Sequence, residues 1–238
     1  ERLPIGKVEV LESFPHEAIR RFGFMEKPGT GFAWEADGLL RRRDLWTSYM
    51  MQSLAMGQGI SVTFLQLASA SAAVFGDGTL RTPLFVREVR PQDGEPQHLE
   101  AVVRRRNVVS ERVTAKLRAA ARDVVHLDYG TAKTARVEGL SIGGKTGTAQ
   151  VVSRKSRNDE SSSAWYLDRS HGWFAGFAPA DDPQVAFAVL VEHGGSGGQS
   201  AAPRSPCSPP SSSPSSAPSG RATGITTNIP WSDRILIR

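Results

Sequence analysis

Between Gly139 and Gln150 the chain reads Gly-Leu-Ser-Ile-Gly-Gly-Lys-Thr-Gly-Thr-Ala-Gln, and no other stretch constrains its fold so sharply. Gly139, Gly144, Lys145 and Thr146 satisfy the G-x-x-x-x-G-K-[ST] pattern of a phosphate-binding loop. Such a loop needs a helix after it, because the N–H groups at the helix start hold the phosphate. Here Gly147-Thr-Ala-Gln-Val-Val follows, and its glycine and β-branched residues favour a strand. Nucleotide binding is thus a motif without its flank. In a strand, alternation sets Lys145 and Gly147 on one face and Thr146 and Thr148 on the other. On these residues alone, a buried strand carrying a solvated lysine fits as well as a site does.

The rest of the composition narrows the class. With 238 residues, 39% of them hydrophobic, the chain suits one globular domain or two small ones. Its 29 Lys+Arg against 24 Asp+Glu give a charge of +5. The triplets Arg41-Arg42-Arg43 and Arg104-Arg105-Arg106 lack interleaved aromatics or a helical frame, so they read as solvated loops and no nucleic-acid partner is expected. Cys207 is the single cysteine, which rules out an intrachain disulfide. The histidines (16, 98, 126, 171 and 193) show no ligand spacing, and no metal or other cofactor is expected. The longest apolar run, Val185 to Val191, is too short to cross a bilayer. The chain opens on Glu1 without a signal peptide, as a piece of a longer protein does.

In order, a helix is predicted from about Glu12 to Phe22, ending at Gly23, and a turn-rich loop over 27–40. Thr63 with Gln66 three residues later forms a capping box, so a helix starts there. Its small residues from Ala68 to Ala73 permit close packing, and Gly76-Asp77-Gly78 ends it. Residues 79–90 read as extended and 91–98 as a polar loop. Ser110 caps a second helix running to about Val125, with Val113, Leu117, Ala120, Ala121 and Val124 on its apolar face. Residues 130–136 link it to the Lys145 segment, and 153–170 form a polar loop. Strands at 143–152, 171–178 and 184–192 make one antiparallel sheet, the last two joined as a hairpin by Pro179-Ala-Asp-Asp-Pro183. Helices on both sides of these strands predict an α/β chain of the α+β type, its antiparallel sheet covered by helices. From Arg204 to Gly220 the sequence is nearly all Ser and Pro, which predicts disorder, and 221–238 holds too little to form an element alone.

Four of these stretches, in this order, resemble the transpeptidase domain of class B penicillin-binding proteins. Residues 53–67 are similar to the family's GQG-x-S-V-T-P-x-Q-L helix start, with Phe64 where the family usually has proline. Residues 80–84 resemble the segment that follows. Gly143-Gly-Lys-Thr-Gly-Thr-Ala-Gln150 resembles the AGKTGTAQ strand, and Gly172 to Pro179 with Val185 to Glu192 resembles the WFVGFAP hairpin. The resemblance covers about residues 12–203. It implies a penicillin-binding/β-lactamase-like fold and acyl transfer by a serine, which lies in a Ser-x-x-Lys box whose lysine helps activate it. It implies that Lys145 supports proton transfer electrostatically and that Thr146 and Thr148 bind the carboxylate of a stem peptide or β-lactam. The Thr148 N–H supplies half of the oxyanion hole, and Gly147 leaves room for the substrate. The implied partners are peptidoglycan stem peptides, β-lactams and other cell-wall synthesis proteins. The implied location is the bacterial cell envelope, with the parent anchored in the inner membrane.

Two of the family's three boxes are missing. None of the six lysines has a serine three residues before it, so the chain holds no Ser-x-x-Lys. Ser-x-Asn occurs once, as Ser156-Arg-Asn158, but after Lys145, where the family places it before; it reads as chance. Gly197-Gly-Gln-Ser-Ala-Ala-Pro203 resembles the start of the family's last helix, which Arg204-Ser-Pro-Cys-Ser-Pro-Pro210 cannot continue. The expectation is therefore an incomplete transpeptidase domain over 1–203 and a disordered or frame-shifted tail over 204–238, inactive alone. A noncatalytic relative that binds stem peptides or division proteins is the alternative. Gly194-Gly-Ser196-Gly-Gly198 matches a G-x-S-x-G nucleophile elbow, but no histidine follows Ser196 to complete a triad and no helix is expected after it.

Overall fold

The computed structural model describes residues 16–150 and 170–205, and the backbone of a strand at 222–228. Helix α1 occupies residues 16–21 and turns at Phe22, matching the predicted end; its expected first turn lies outside the described residues. A short ladder joins β1 (Leu39–Leu40) to β2 (Ile60–Ser61), with α2 (Ser48–Ala55) between them. Helix α3 (Phe64–Phe75) starts on the predicted capping box. The Thr63 hydroxyl accepts from the Gln66 N–H at 3.1 Å, and the Gln66 side-chain oxygen accepts from the Thr63 N–H at 2.9 Å. The stretch 79–98 differs from its reading. It is broken into β3 (Leu80–Arg81), which pairs with β6 (Val103–Arg105), and a small hairpin of β4 (Glu88–Val89) with β5 (Gln97–His98).

The central sheet has strand order β10-β9-β8-β7, antiparallel throughout. Its members are β7 (Gly143–Ala149), β8 (His171–Ala178), β9 (Val185–Val191) and β10 (Ala222–Asn228). The first three are the strands expected from the sequence. The fourth corrects the reading of the C-terminal residues as short of an element. A strand need not be stable alone when a neighbour's unpaired backbone receives it, and the outer edge of β9 does so.

Both faces of β9 are buried, as its unbroken apolar run requires. Phe187, Val189 and Val191 turn to one face with Phe174 of β8, against Val125, Ile142, Ala201 and Ala202. On the other face α3 lies across β9, where Ala186 and Ala188 meet its small residues. Phe177 stacks there on Phe75 with centroids 4.4 Å apart, beside Ala121 and Ala180. The expected close packing of α3 is therefore present, and the strand is its partner.

Helix α4 (Glu111–His126) has the predicted extent and part of the predicted face: Ala121 is buried and Val124 packs on the core, but Val113, Leu117 and Ala120 do not. Thr114, Ala121 and Val125 are buried, whereas Val113 and Leu117 are 41% and 38% exposed. The helix is rotated by about one residue from its apolar stripe. Arg118 explains part of the rotation: its guanidinium donates at 2.5 Å to each of the carbonyls of Phe75 and Gly76, at the end of α3, where the last carbonyls lie beyond the reach of intrahelical bonds. Holding that cation against α3 turns Leu117 outward. Two further elements complete the layer beneath β7. A 3₁₀ turn, Lys133–Ala135, follows α4, and α5 (Gly197–Ser200) follows β9.

Candidate active site

Among the described residues strand β7 is the edge of the sheet, and one side of its backbone has no strand partner. Its register sets Gly147 opposite Trp173 and Lys145 opposite Ala175, with Thr146 opposite Phe174 and Thr148 opposite Gly172. The predicted alternation follows: Lys145 and Gly147 share one face, Thr146 and Thr148 the other. A strand at Lys145, with none of the helix a phosphate loop needs, removes the structural basis for the nucleotide-binding reading.

Lys145 is exposed, and its Nζ donates to the Thr146 carbonyl at 2.6 Å. Among the described residues it has no ion-pair partner. Gly147 gives the same face its opening, because a Cβ there would lie 3.3 Å from the Trp173 Cβ. Phe64, at the start of α3, packs on the Trp173 ring with centroids 5.2 Å apart and closes that side with an aromatic wall. At the far end of β7 the Gln58 amide donates to the Gln150 side-chain oxygen at 3.4 Å, which ties the turn before α3 to the strand. Beyond Gln58 an open apolar cleft of about 230 Å³ is lined by Leu40, Trp46, Tyr49, Met50 and Leu54.

The threonine face rests on residues that the sequence reading passed over as linker. The Thr146 hydroxyl lies 2.9 Å from that of Thr131, in the turn after α4. Thr134 donates to the Gly198 carbonyl at 2.6 Å. Helix α5 then sits directly on the strands. A Cβ at Gly197 would overlap the carbonyl oxygens of Trp173 and Gly147, and one at Gly198 would overlap that of Thr131. The turn at Thr131, the 3₁₀ turn and α5 thus hold β7 from below. The glycine pair Gly197-Gly198, six and seven residues after the end of β9, is the sequence signal for a backbone-to-backbone approach there.

Neither Ser141, which lies just before β7, nor Ser196 of the G-x-S-x-G match takes part in this arrangement. Ser141 Oγ is buried without a hydrogen-bond partner. Ser196 stands at the start of α5, the short helix that the resemblance of residues 197–203 implied, and its hydroxyl makes no hydrogen bond to a histidine among the described residues. Ser156 and Asn158 lie outside the described residues.

Comparison with known proteins agrees with this geometry. Residues 14–206 match the penicillin binding protein transpeptidase domain. The penicillin-binding protein PbpB of Mycolicibacterium smegmatis is 34% identical over 201 residues, which are 79% of this chain and 30% of that protein. The peptidoglycan D,D-transpeptidase MrdA of Acinetobacter baumannii is 35% identical over 208 residues, 78% of this chain and 29% of the relative. Penicillin-binding protein 3 of Mycobacterium tuberculosis, solved with aztreonam, superposes with a TM-score of 0.65 at 30% identity; the match covers 79% of this chain and 43% of that structure. The chain belongs to the penicillin-binding protein transpeptidase family, and it spans about 30% of the length of the curated relatives it matches.

Proposed function

We propose that this chain supplies one wall of the acyl-transfer site of a peptidoglycan D,D-transpeptidase, with Lys145, Thr146, Gly147 and Thr148 as the site residues. The observation that carries the reading is the edge strand β7, which has no partner on one side among the described residues and presents Lys145 and Gly147 on one face and Thr146 and Thr148 on the other. An extended stem peptide adds to such an edge through its backbone, as strand-addition ligands do. The Lys145 charge draws a substrate carboxylate towards the strand and stabilises the proton shift at the nucleophile. Thr146 and Thr148 donate to that carboxylate, and the Thr148 N–H polarises the reacting carbonyl. The reaction is acyl transfer: a serine oxygen takes the acyl group from one stem peptide and passes it to the amine of another. A β-lactam acylates the same serine and stays there.

The serine and its activating lysine come from an upstream portion of the parent protein, since no Ser-x-x-Lys exists in the 238 residues. We assign residues 1–203 to the transpeptidase domain and 204–238 to a tail outside it. The parent acts in the bacterial cell envelope, anchored in the inner membrane, alongside other cell-wall synthesis proteins.

The test is covalent labelling with a fluorescent penicillin, read by intact mass, on this chain and on the chain extended upstream. Label on the extended chain alone supports the reading. Label on the 238-residue chain overturns it, because one of its own serines is then the nucleophile. No label on either supports a noncatalytic relative that binds stem peptides.

A further inference from the structure

His171 opens β8 opposite Ala149, the last residue of β7, and its ring reaches across to the turn that leaves β9. The His193 N–H donates to His171 Nδ1 at 2.9 Å. His193 itself sits at φ +52°, a left-handed conformation that a side-chain-bearing residue holds only under restraint. The same turn is tied down by the Gly194 N–H on the Val191 carbonyl and the Gly195 N–H on the Ser170 carbonyl. Two residues later Gly197 meets the backbones of Trp173 and Gly147, and Gly198 meets Thr131. A continuous path therefore runs from the His171 ring through residues 193–197 to the strand that carries Lys145 to Thr148.

Hydrogen-bond chemistry decides what this path does. A neutral imidazole accepts at one nitrogen and donates at the other, whereas an imidazolium donates at both and accepts at neither. Nδ1 accepts here, so the neutral ring carries its proton on Nε2. Protonation places a hydrogen on Nδ1, facing the His193 N–H, and the bond is replaced by a clash of donors. We infer that His171 is a positioning residue for the Lys145–Thr148 strand: its proton-free Nδ1 fixes the 193–197 turn under β7, and protonation releases that turn.

The surroundings favour the neutral, holding form. Burial and the nearby His193 ring, 4.9 Å away and edge-on, keep the His171 pKa below its ordinary value, against the opposing charge of Glu192. Ala149 across the ladder and the residues of α5 carry no charge. Among the described residues, Glu192 and His193 are the titratable groups that act on the ring, and Lys145, the titratable residue of β7, stands opposite Ala175, four residues along β8. Release is accordingly an acid-side event, and the site is braced at neutral pH. The catalytic meaning of the brace rests on the proposed function; the coupling between His171 and β7 does not.

The test is heteronuclear NMR on the 238-residue chain from about pH 8 to about pH 5, the range in which imidazoles titrate. The amides of His193, Gly195, Gly197 and Gly147 are expected to shift with the midpoint of His171, with protection from exchange at Gly195, whose N–H donates to the Ser170 carbonyl, falling about tenfold. His171→Asn keeps an acceptor that does not titrate, so the neutral-pH spectrum of the turn persists and its pH dependence disappears. His193→Asn keeps the backbone donor, so the pH dependence remains. Titration of His171 without movement of Gly197 and Gly147, or an unchanged response in His171→Asn, overturns the inference. Penicillin labelling plays no part in these readings, so their failure is separate from failure of the proposed function.

Discussion

The hydroxyl oxygens of Thr131 and Thr146 lie 2.9 Å apart, a contact that fixes the Thr146 rotamer. Removing the partner frees it. Thr131→Val retains the shape and loses the bond, so a cost of about 1 kcal/mol in the urea unfolding of this chain is expected, from one net hydrogen bond. In the chain extended upstream, penicillin acylation is expected to slow by about tenfold, the rate equivalent of about 1.4 kcal/mol. Thr131→Ser restores both. Full acylation by Thr131→Val shows that the Thr146 hydroxyl needs no such anchor.

Gly197→Ala tests the support beneath the strand. The added methyl meets the carbonyl oxygens of Trp173 and Gly147, and backbone atoms give way less readily than side chains. Overpacking of this kind costs about 1–3 kcal/mol. A lowered denaturation midpoint with shifted Gly147 and Thr148 amides is expected. Gln199→Ala, on the exposed side of the same helix, is the control and is expected to stay within about 0.5 kcal/mol of the parent. Equal stability of the two variants removes α5 from the support of β7.

Gln66 does two jobs, and its loss is expected to exceed that of an ordinary cap. Its side-chain oxygen closes the capping box, while its Nε2 donates to the carbonyls of Glu26 at 2.9 Å and Asp37 at 3.0 Å. The residue is 2% exposed, so those carbonyls lose a partner that water replaces poorly. Gln66→Ala is expected to cost about 3 kcal/mol, about 1 from the cap and the remainder from the unpaired carbonyls. Thr63→Ala removes the cap alone, and about 1 kcal/mol is expected. Chemical denaturation of the two variants distinguishes the roles; equal losses deny the second one.

Glu26 links the same loop to β6. Its carboxylate pairs with Arg105 through two hydrogen bonds and with Arg104 at 3.0 Å. The Arg105 hydrogen bonds, with the charges of both arginines, hold its pKa below the usual 4.5 against the opposing effect of burial. A carboxylate with a depressed folded pKa binds fewer protons folded than unfolded, so stability rises with pH through that window. The contribution is complete above the unfolded value and is lost as pH falls through the folded one. Glu26→Gln is expected to flatten this acid limb and to cost about 1–2 kcal/mol at neutral pH, through two half-buried guanidinium groups left without an anion. Urea midpoints at neutral and acid pH check it; an acid limb unchanged by the substitution rejects the assignment.

What could be read from the sequence was local. Capping at Thr63 depends on Gln66 three residues away, and the 171–191 hairpin depends on two apolar runs flanking a proline turn, so both lay in a short window. The Lys145 strand and its two faces followed from a period of two. The supports did not follow, because each joins residues distant in sequence: Thr131 with Thr146, Gly197 with Gly147, His193 with His171. No periodicity marks such pairs. Strand β10 was missed for a related reason: its pairing is supplied by β9, some thirty residues earlier, and its own composition is weak. The face of α4 was misread in part, by a different route. Hydropathy counts Arg118 as an outward residue, whereas its guanidinium is drawn inward by the carbonyls that end α3.

That misreading is itself testable. On the hydropathy reading Leu117 belongs to the core, whereas in the structure it is 38% exposed and Val125, two turns on, is fully buried. Truncating a buried valine leaves a cavity, and Val125→Ala is expected to cost about 2 kcal/mol. Leu117→Ala removes atoms that water already reaches, and less than about 1 kcal/mol is expected. Arg118→Ala is expected to cost more than Leu117→Ala, although arginine is the more polar residue, because it takes the guanidinium donor away from two carbonyls at the end of α3. Thermal or urea unfolding of the three variants ranks them. The order Val125 and Arg118 above Leu117 supports the rotated helix, while a cost at Leu117 matching that at Val125 returns α4 to the face that its sequence pattern predicts.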